Sequence, residues 1–180
     1  MQLASRRIHT GKVINLDVDQ VRFPDGSTGE LEMVRHPGAA AVVPLASDPG
    51  AADPTILMIR QYRYATNGEL WEIPAGRLAF VGEEPEACAR RELEEEVGVK
   101  AGAVRRLTTV WTTPGFTDEA IHLFMATDLT PTAHAREADE FIDVVPRTLS
   151  EVLEMIGRGE VCDAKTVVGI LYMAGYILGQ

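Results

Sequence analysis

The run Arg91-Glu92-Leu93-Glu94-Glu95-Glu96 concentrates carboxylates in a short stretch of chain. At about 100° per residue on a helix, Glu92, Glu95 and Glu96 fall within one arc of about 100°. They stand beside an Ala89/Leu93/Val97 stripe at four-residue spacing that must face a core. Like charges three and four residues apart repel about as strongly as opposite charges attract there, so the arrangement calls for a cation. Oxygen-only ligands select a hard ion, Mg²⁺ with Mn²⁺ as the other candidate, over zinc. The bland reading of an acidic helix is a solvated face. Against it stands the preceding segment Trp71 to Glu83, in which two glycines bracket a loop that feeds directly into the helix. Such a loop lets backbone carbonyls and amides approach an ion or a phosphate.

The elements that must position these residues follow from pattern. Pro85 at an opening position, acidic residues in the first turn and Gly98 as a stop predict a helix from Pro85 to Val97. Strand-like runs are Val13 to Phe23, Leu31 to Arg35, Ala39 to Leu45, Thr55 to Arg60, Val104 to Trp111, Ile121 to Thr127 and Phe141 to Val145. Leu149 to Ile156 and Ala164 to Leu178 read as closing helices, and mixed strands with few helices mean an α+β fold. A soft boundary near Pro37 divides an N-terminal β segment, residues 1–37, from a main domain, 38–180. The smaller piece cannot bury a core alone, so it packs on the main domain or on a second copy of the chain.

Composition limits the function classes. The chain has 180 residues, 46% of them hydrophobic and 24% charged, which is ample for one core. Its net charge of −10 argues against electrostatic binding of nucleic acid. The most apolar run, Val167 to Leu178, is interrupted by glycine and is shorter than the roughly 20 residues of a membrane-spanning helix. Met1 to His9 holds no apolar stretch of signal-peptide length. Cys88 and Cys162 form neither a metal-type pair nor a disulfide framework, so a reducing cytoplasm is expected.

Gly76 to Val99 resembles the Nudix box, Gly-x5-Glu-x7-Arg-Glu-U-x-Glu-Glu-x-Gly-U with U aliphatic. From Glu83 onward every fixed position is filled, through Arg91-Glu92-Leu93-Glu94-Glu95-Glu96-Val97-Gly98-Val99. The departure lies upstream, where six residues rather than five separate Gly76 from Glu83. The extra residue falls around Phe80-Val81, and a loop can absorb it without touching the helix spacing. The flanks resemble the ADP-ribose pyrophosphatase branch: Ile59 to Tyr64 and Leu70 to Gly76 before the box, Pro114 fifteen positions past Val99, then Glu137 to Ile142 and Gly159 to Thr166.

That resemblance implies a Nudix-type α/β/α sandwich with a mixed sheet, plus the small N-terminal antiparallel segment. It implies Glu92 and Glu96 as direct ligands of a divalent ion, Glu95 close by or acting through water, and the Ala75 carbonyl as a backbone ligand. Catalysis would rest on Glu96, on Arg91 paired with Glu83 or a neighbouring carboxylate, and on a base from a loop after the core strands. For the base Glu137 leads, Glu140 follows and Asp139 is third. Arg63 is a candidate anion or purine contact, since a guanidinium stacks on a base or forks onto a phosphate, and Arg35 could act similarly. Trp71 and Phe116, with Gly115 beside it, are candidates for the purine pocket. Glu72, Glu119 and His36 could approach it, although His36 is read as structural.

The implied activity is Mg²⁺-dependent hydrolysis of ADP-ribose to AMP and ribose 5-phosphate by a homodimer that exchanges its N-terminal strands. Another nucleoside diphosphate sugar such as GDP-mannose, or a dinucleoside polyphosphate, shares the chemistry. A non-catalytic nucleotide-binding domain is the alternative of a different class, and the intact Glu92, Glu95 and Glu96 argue against it. An isopentenyl diphosphate isomerase is disfavoured by the flanks, and a decapping role by the acidic charge.

Overall fold

The computed structural model describes residues 1–80, 82–133 and 141–179. Three strands open the chain: β1 (Gln2–Thr10), β2 (Asn15–Arg22) and β3 (Thr28–Arg35), paired antiparallel in that order. The expected strand beginning at Val13 starts instead at Asn15, because Gly11 to Ile14 form the turn closed by the Gly11 N–H on the Ile14 carbonyl at 3.0 Å. β1 was not foreseen. Its residues are exposed throughout, so it is held by pairing with β2 rather than by burial, and apolar periodicity cannot reveal it.

β4 (Ala39–Pro44) is buried on both faces and lies between β7 (Ala75–Arg77), antiparallel to it, and β9 (Ala120–Pro131), parallel to it. β8 (Val99–Trp111) completes this mixed sheet as an antiparallel neighbour of β9. A second sheet has the order β10-β5-β6, from β10 (Ile142–Thr148), β5 (Thr55–Arg63) and β6 (Gly68–Glu72).

The alternation along β4 explains the layering. Ala40 and Val42 pack with Cys88, Ala89 and Leu93 of the helix α1 (Pro85–Glu92) and its continuation. Ala39, Ala41 and Val43 pack on the other face with Val152 of α2 (Leu149–Gly157) and Ile170 of α3 (Ala164–Tyr172). Helices on both faces leave a central strand no polar side, hence its unbroken apolar run. The result is the α/β/α sandwich with a separate N-terminal antiparallel sheet. Among the described residues no helix is long and apolar enough to cross a membrane.

Local chemistry fixes the helix starts. Thr148 and Glu151 form a reciprocal capping box at α2, and Asp163 accepts the Thr166 N–H at 3.1 Å at α3. Thr166 then accepts the Ile73 N–H at 2.9 Å, so the cap of α3 is tied to the link between β6 and β7. The N-terminal sheet joins the body at the end of β3. The Val34 N–H donates to the Phe116 carbonyl at 2.7 Å, and the Asp118 N–H to the Val34 carbonyl at 3.3 Å.

Candidate functional site

α1 starts with Pro85 at its first position, where the missing N–H costs nothing. After Glu92 the helix widens into a π-turn, Leu93–Val97, and stops at Gly98 in the left-handed region at φ 75°. The foreseen stripe is buried, and Glu92 and Glu96 are buried with it at 6% and 2% exposure. Their carboxylates face the strand β7. Glu96 accepts the Ala75 N–H at 3.0 Å, and Glu92 lies so close to Gly76 that a Cβ there would meet its Oε1 at 1.8 Å. Gly76→Ala must therefore displace Glu92 or the strand. Because a misplacement of about 1 Å can cost about 100-fold in rate, the variant is expected to lose at least that much kcat/KM. A steady-state assay within tenfold of the parent would refute the packing argument.

Arg91 ties the loop to the helix. Its Nη1 donates to Glu92 at 2.6 Å and to Glu95 at 2.9 Å, its Nε to Glu83 at 3.4 Å, and its Nη2 to the Arg77 carbonyl at 3.1 Å. Burial alone would lower the guanidinium pKa, but the Glu92 charge and the bonds to Glu83 and Glu92 outweigh it and raise it. Burial pushes the Cys88 thiol up to about 11, so it stays an S–H donor to the Arg77 carbonyl at 3.4 Å. Glu83 also closes the loop that carries the extra residue: it accepts the Ala79 N–H at 2.5 Å, and its own N–H donates to the Phe80 carbonyl at 3.1 Å.

Ala75, Glu92, Glu95 and Glu96 line one cavity of about 720 Å³. Their oxygens are the hard donors that suit a divalent ion, and the missing side chain of Gly76 makes room for the Glu92 carboxylate against β7. Among the described residues no group of three His, Cys, Asp or Glu side chains is arranged to hold a metal ion. Arg91 draws Glu92 and Glu95 toward itself, while the Ala75 amide holds Glu96. A second cavity of about 430 Å³ adjoins the first and shares Arg63, Ala75, Gly76 and Arg77 with it.

Around that second cavity the structure collects residues distant in sequence: Arg63, Asp163 and Lys165 line it, while Glu72 lies buried behind them and lines neither cavity. Glu72, 1% exposed, accepts Arg63 Nε and Nη2 at 2.7 Å each and Lys165 Nζ at 2.5 Å, and Lys165 also reaches Asp163 at 2.9 Å. His36 and Glu119 also stand on the wall, with Nδ1 and Oε1 3.5 Å apart. The Gly38 N–H donates to that same His36 nitrogen at 3.2 Å, and Thr112 donates to Glu119 at 2.9 Å. Lys165, Asp163, Arg77 and Trp111 were not foreseen in this place. The resemblance of Gly159 to Thr166 to the family's closing segments was the available signal for Asp163 and Lys165.

Other candidates lie elsewhere. Arg35 spends its guanidinium on Asp17 at 3.2 Å, Asp118 at 3.0 Å and Asp19, joining the N-terminal sheet to the Pro114 loop, and it lines neither cavity. Trp71 is also off both walls. It packs against the core with the guanidiniums of Arg60 and Arg147 at 5.9 and 5.4 Å from its ring, the outcome expected of a half-buried aromatic that finds cations. Gly115 and Phe116 are exposed and outside the walls, since the Phe116 carbonyl is committed to β3. Glu137, Asp139 and Glu140 lie outside the described residues.

The family model described as NUDIX domain matches residues 35–165. The chain is 42% identical over 173 residues to an ADP-ribose pyrophosphatase of Bacillus subtilis, covering 95% of this chain and 90% of that one. It is 39% identical over 173 residues to a methanol dehydrogenase activator of Bacillus methanolicus, with the same 95% and 90% coverage. A crystal structure of an ADP compounds hydrolase superposes with a TM-score of 0.83 over 100% of this chain and 95% of that chain, at 20% identity, a likeness of fold.

Proposed function

The chain belongs to the NUDIX domain family, and from that premise we propose that it hydrolyses the diphosphate of ADP-ribose to AMP and ribose 5-phosphate with Mg²⁺ in the carboxylate-lined cavity. The observation that carries this reading is the cavity wall of Glu92, Glu95, Glu96 and Ala75 opening onto a second, polar cavity. A diphosphate at the first leaves room for the attached groups in the second. The 42% identity to an ADP-ribose pyrophosphatase supports the choice of substrate.

In the reaction, the oxygen of water bonds to one phosphorus, the bridging oxygen leaves with the other phosphate, and the proton goes to a base. Glu137 or Glu140 would take that proton. A divalent ion there would supply charge neutralisation and Lewis acidity to the diphosphate. Glu92, Glu95 and Glu96 would hold it with the Ala75 carbonyl. Arg91 orients Glu92 and Glu95 and fixes the loop through the Arg77 carbonyl. The Ala75 amide orients Glu96. Arg63, locked on Glu72, shapes the passage between the cavities.

A net charge of −10 favours a small substrate over nucleic acid, and the free thiols of Cys88 and Cys162 suit the cytoplasm. The N-terminal sheet leaves Leu3, Ile8 and Leu31 exposed, which supports a homodimer that covers them.

The test is phosphate release, after phosphatase coupling, from ADP-ribose, GDP-mannose, diadenosine polyphosphates and NADH with Mg²⁺ or Mn²⁺, then with chelator. Turnover of ADP-ribose above the others, abolished by chelation, is expected. Silence across the panel by folded, metal-supplemented protein would overturn the hydrolase reading, and preference for GDP-mannose would overturn the substrate.

A further inference from the structure

We infer that Arg77 is a substrate-binding residue that grips the diphosphate where it passes between the two cavities, an assignment that rests on the pyrophosphohydrolase reading above. Four cationic side chains of Lys or Arg line the cavities among the described residues: Arg63, Arg77, Arg91 and Lys165. Three are already committed. Arg63 gives two donors to Glu72, Lys165 binds Glu72 and Asp163, and Arg91 serves Glu83, Glu92 and Glu95. Arg77 has no carboxylate partner among the described residues, and it lines both cavities.

Its backbone is nevertheless fixed. Arg77 pairs with Ala39 of β4, and its carbonyl accepts from Arg91 at 3.1 Å and from the Cys88 thiol at 3.4 Å. Residue 77 is therefore an exposed, uncommitted guanidinium on an immobilised stem. That combination suits ligand recognition: the stem sets direction, and the planar fork gives two parallel donors to phosphate oxygens. A diphosphate entering a space walled by Glu92, Glu95 and Glu96 meets like charge. The positive field of Arg63 is cancelled by Glu72 beside it, which leaves Arg77 to oppose the repulsion along with the divalent ion. The residue chosen from sequence for this role, Arg63, is the one whose fork is occupied. The ordinary fate of an exposed arginine, solvation without function, is the outcome that would defeat the assignment.

The experiment compares the parent with Arg77→Ala and Arg77→Lys. In steady-state hydrolysis of ADP-ribose, Arg77→Ala is expected to raise KM by about tenfold or more with kcat within about threefold, since a charge-assisted hydrogen bond of this kind contributes on that scale. Arg77→Lys recovers part of the loss. Calorimetric titration with ADP in metal-free buffer is expected to show the same order of weakening. The melting temperature should move by no more than about 2 °C, because no side-chain hydrogen bond or ion pair among the described residues is removed. A parent-like KM together with parent-like ADP binding in Arg77→Ala would overturn the assignment. If the parent fails to turn over ADP-ribose, the substrate reading falls by itself. The ADP titration still decides Arg77: weakening on alanine substitution upholds it, and equal affinity or no binding by the parent ends it.

Discussion

Glu96→Gln is expected to lower kcat for ADP-ribose by about 10³-fold, equivalent to about 4 kcal/mol of barrier, while the melting temperature stays within about 2 °C of the parent. The two halves of this prediction come from different features of one side chain. Glu96 is 2% exposed and accepts the Ala75 N–H at 3.0 Å. Glutamine keeps an oxygen that can accept the same hydrogen bond, so the contact between helix and β7 survives. The negative charge proposed to hold the divalent ion is lost. Mn²⁺ binding, read by the paramagnetic signal of the free ion, should weaken in parallel, which separates an effect on the ion from one on substrate. Glu95→Gln should be milder, because that side chain is 34% exposed and it bonds to Arg91 on its own helix. A Glu96→Gln enzyme retaining a tenth of the parent kcat would remove Glu96 from the metal set.

The helix bearing Glu96 was legible in sequence because local signals agree there: Pro85 at the start, Gly98 at the end and a buried stripe between. The same holds for β4, whose unbroken apolar run reports burial on two faces. β1 was invisible because it buries nothing, and β7 because three residues carry no period. The fate of the arginines was hidden for another reason. Arg35 meets Asp118 across 83 residues of chain, and Lys165 meets Glu72 across 93. No local pattern shows which guanidinium will be neutralised and which left open, so sequence alone pointed to Arg63 and Arg35 where the fold has already spent both. Trp71 illustrates the same limit, since a residue taken for the pocket packs on the core according to the face that β6 presents.

Replacing Glu72 by glutamine is expected to destabilise the protein by about 3 kcal/mol near pH 7, the low end for breaking a buried ion pair, because the Arg63 side chain keeps 39% of its exposure and can rehydrate. At this chain length that corresponds to a fall of about 6–12 °C in melting temperature. Burial alone would push the Glu72 carboxyl up. The hydrogen bonds from Arg63, the Lys165 charge and bond, and the Arg63 charge outweigh it and hold the group below its usual 4.5. A carboxylate depressed in the folded state contributes stability that is complete above its unfolded pKa and is lost as pH falls through the folded value. The gap between parent and variant is therefore widest near neutrality and closes as acid protonates Glu72, which then resembles the glutamine. Urea unfolding of both proteins from about pH 7 down to about pH 2 reads this directly, since the closure lies below the usual 4.5, and carboxylates common to both cancel in the difference. A gap that stays constant through that acid range would show that the variant suffers from lost shape rather than lost charge. A gap below about 1 kcal/mol at neutrality would show that Arg63 and Lys165 find water as readily as they find Glu72. In that case the wall between the two cavities would owe its position to the Thr166 anchor on Ile73 instead.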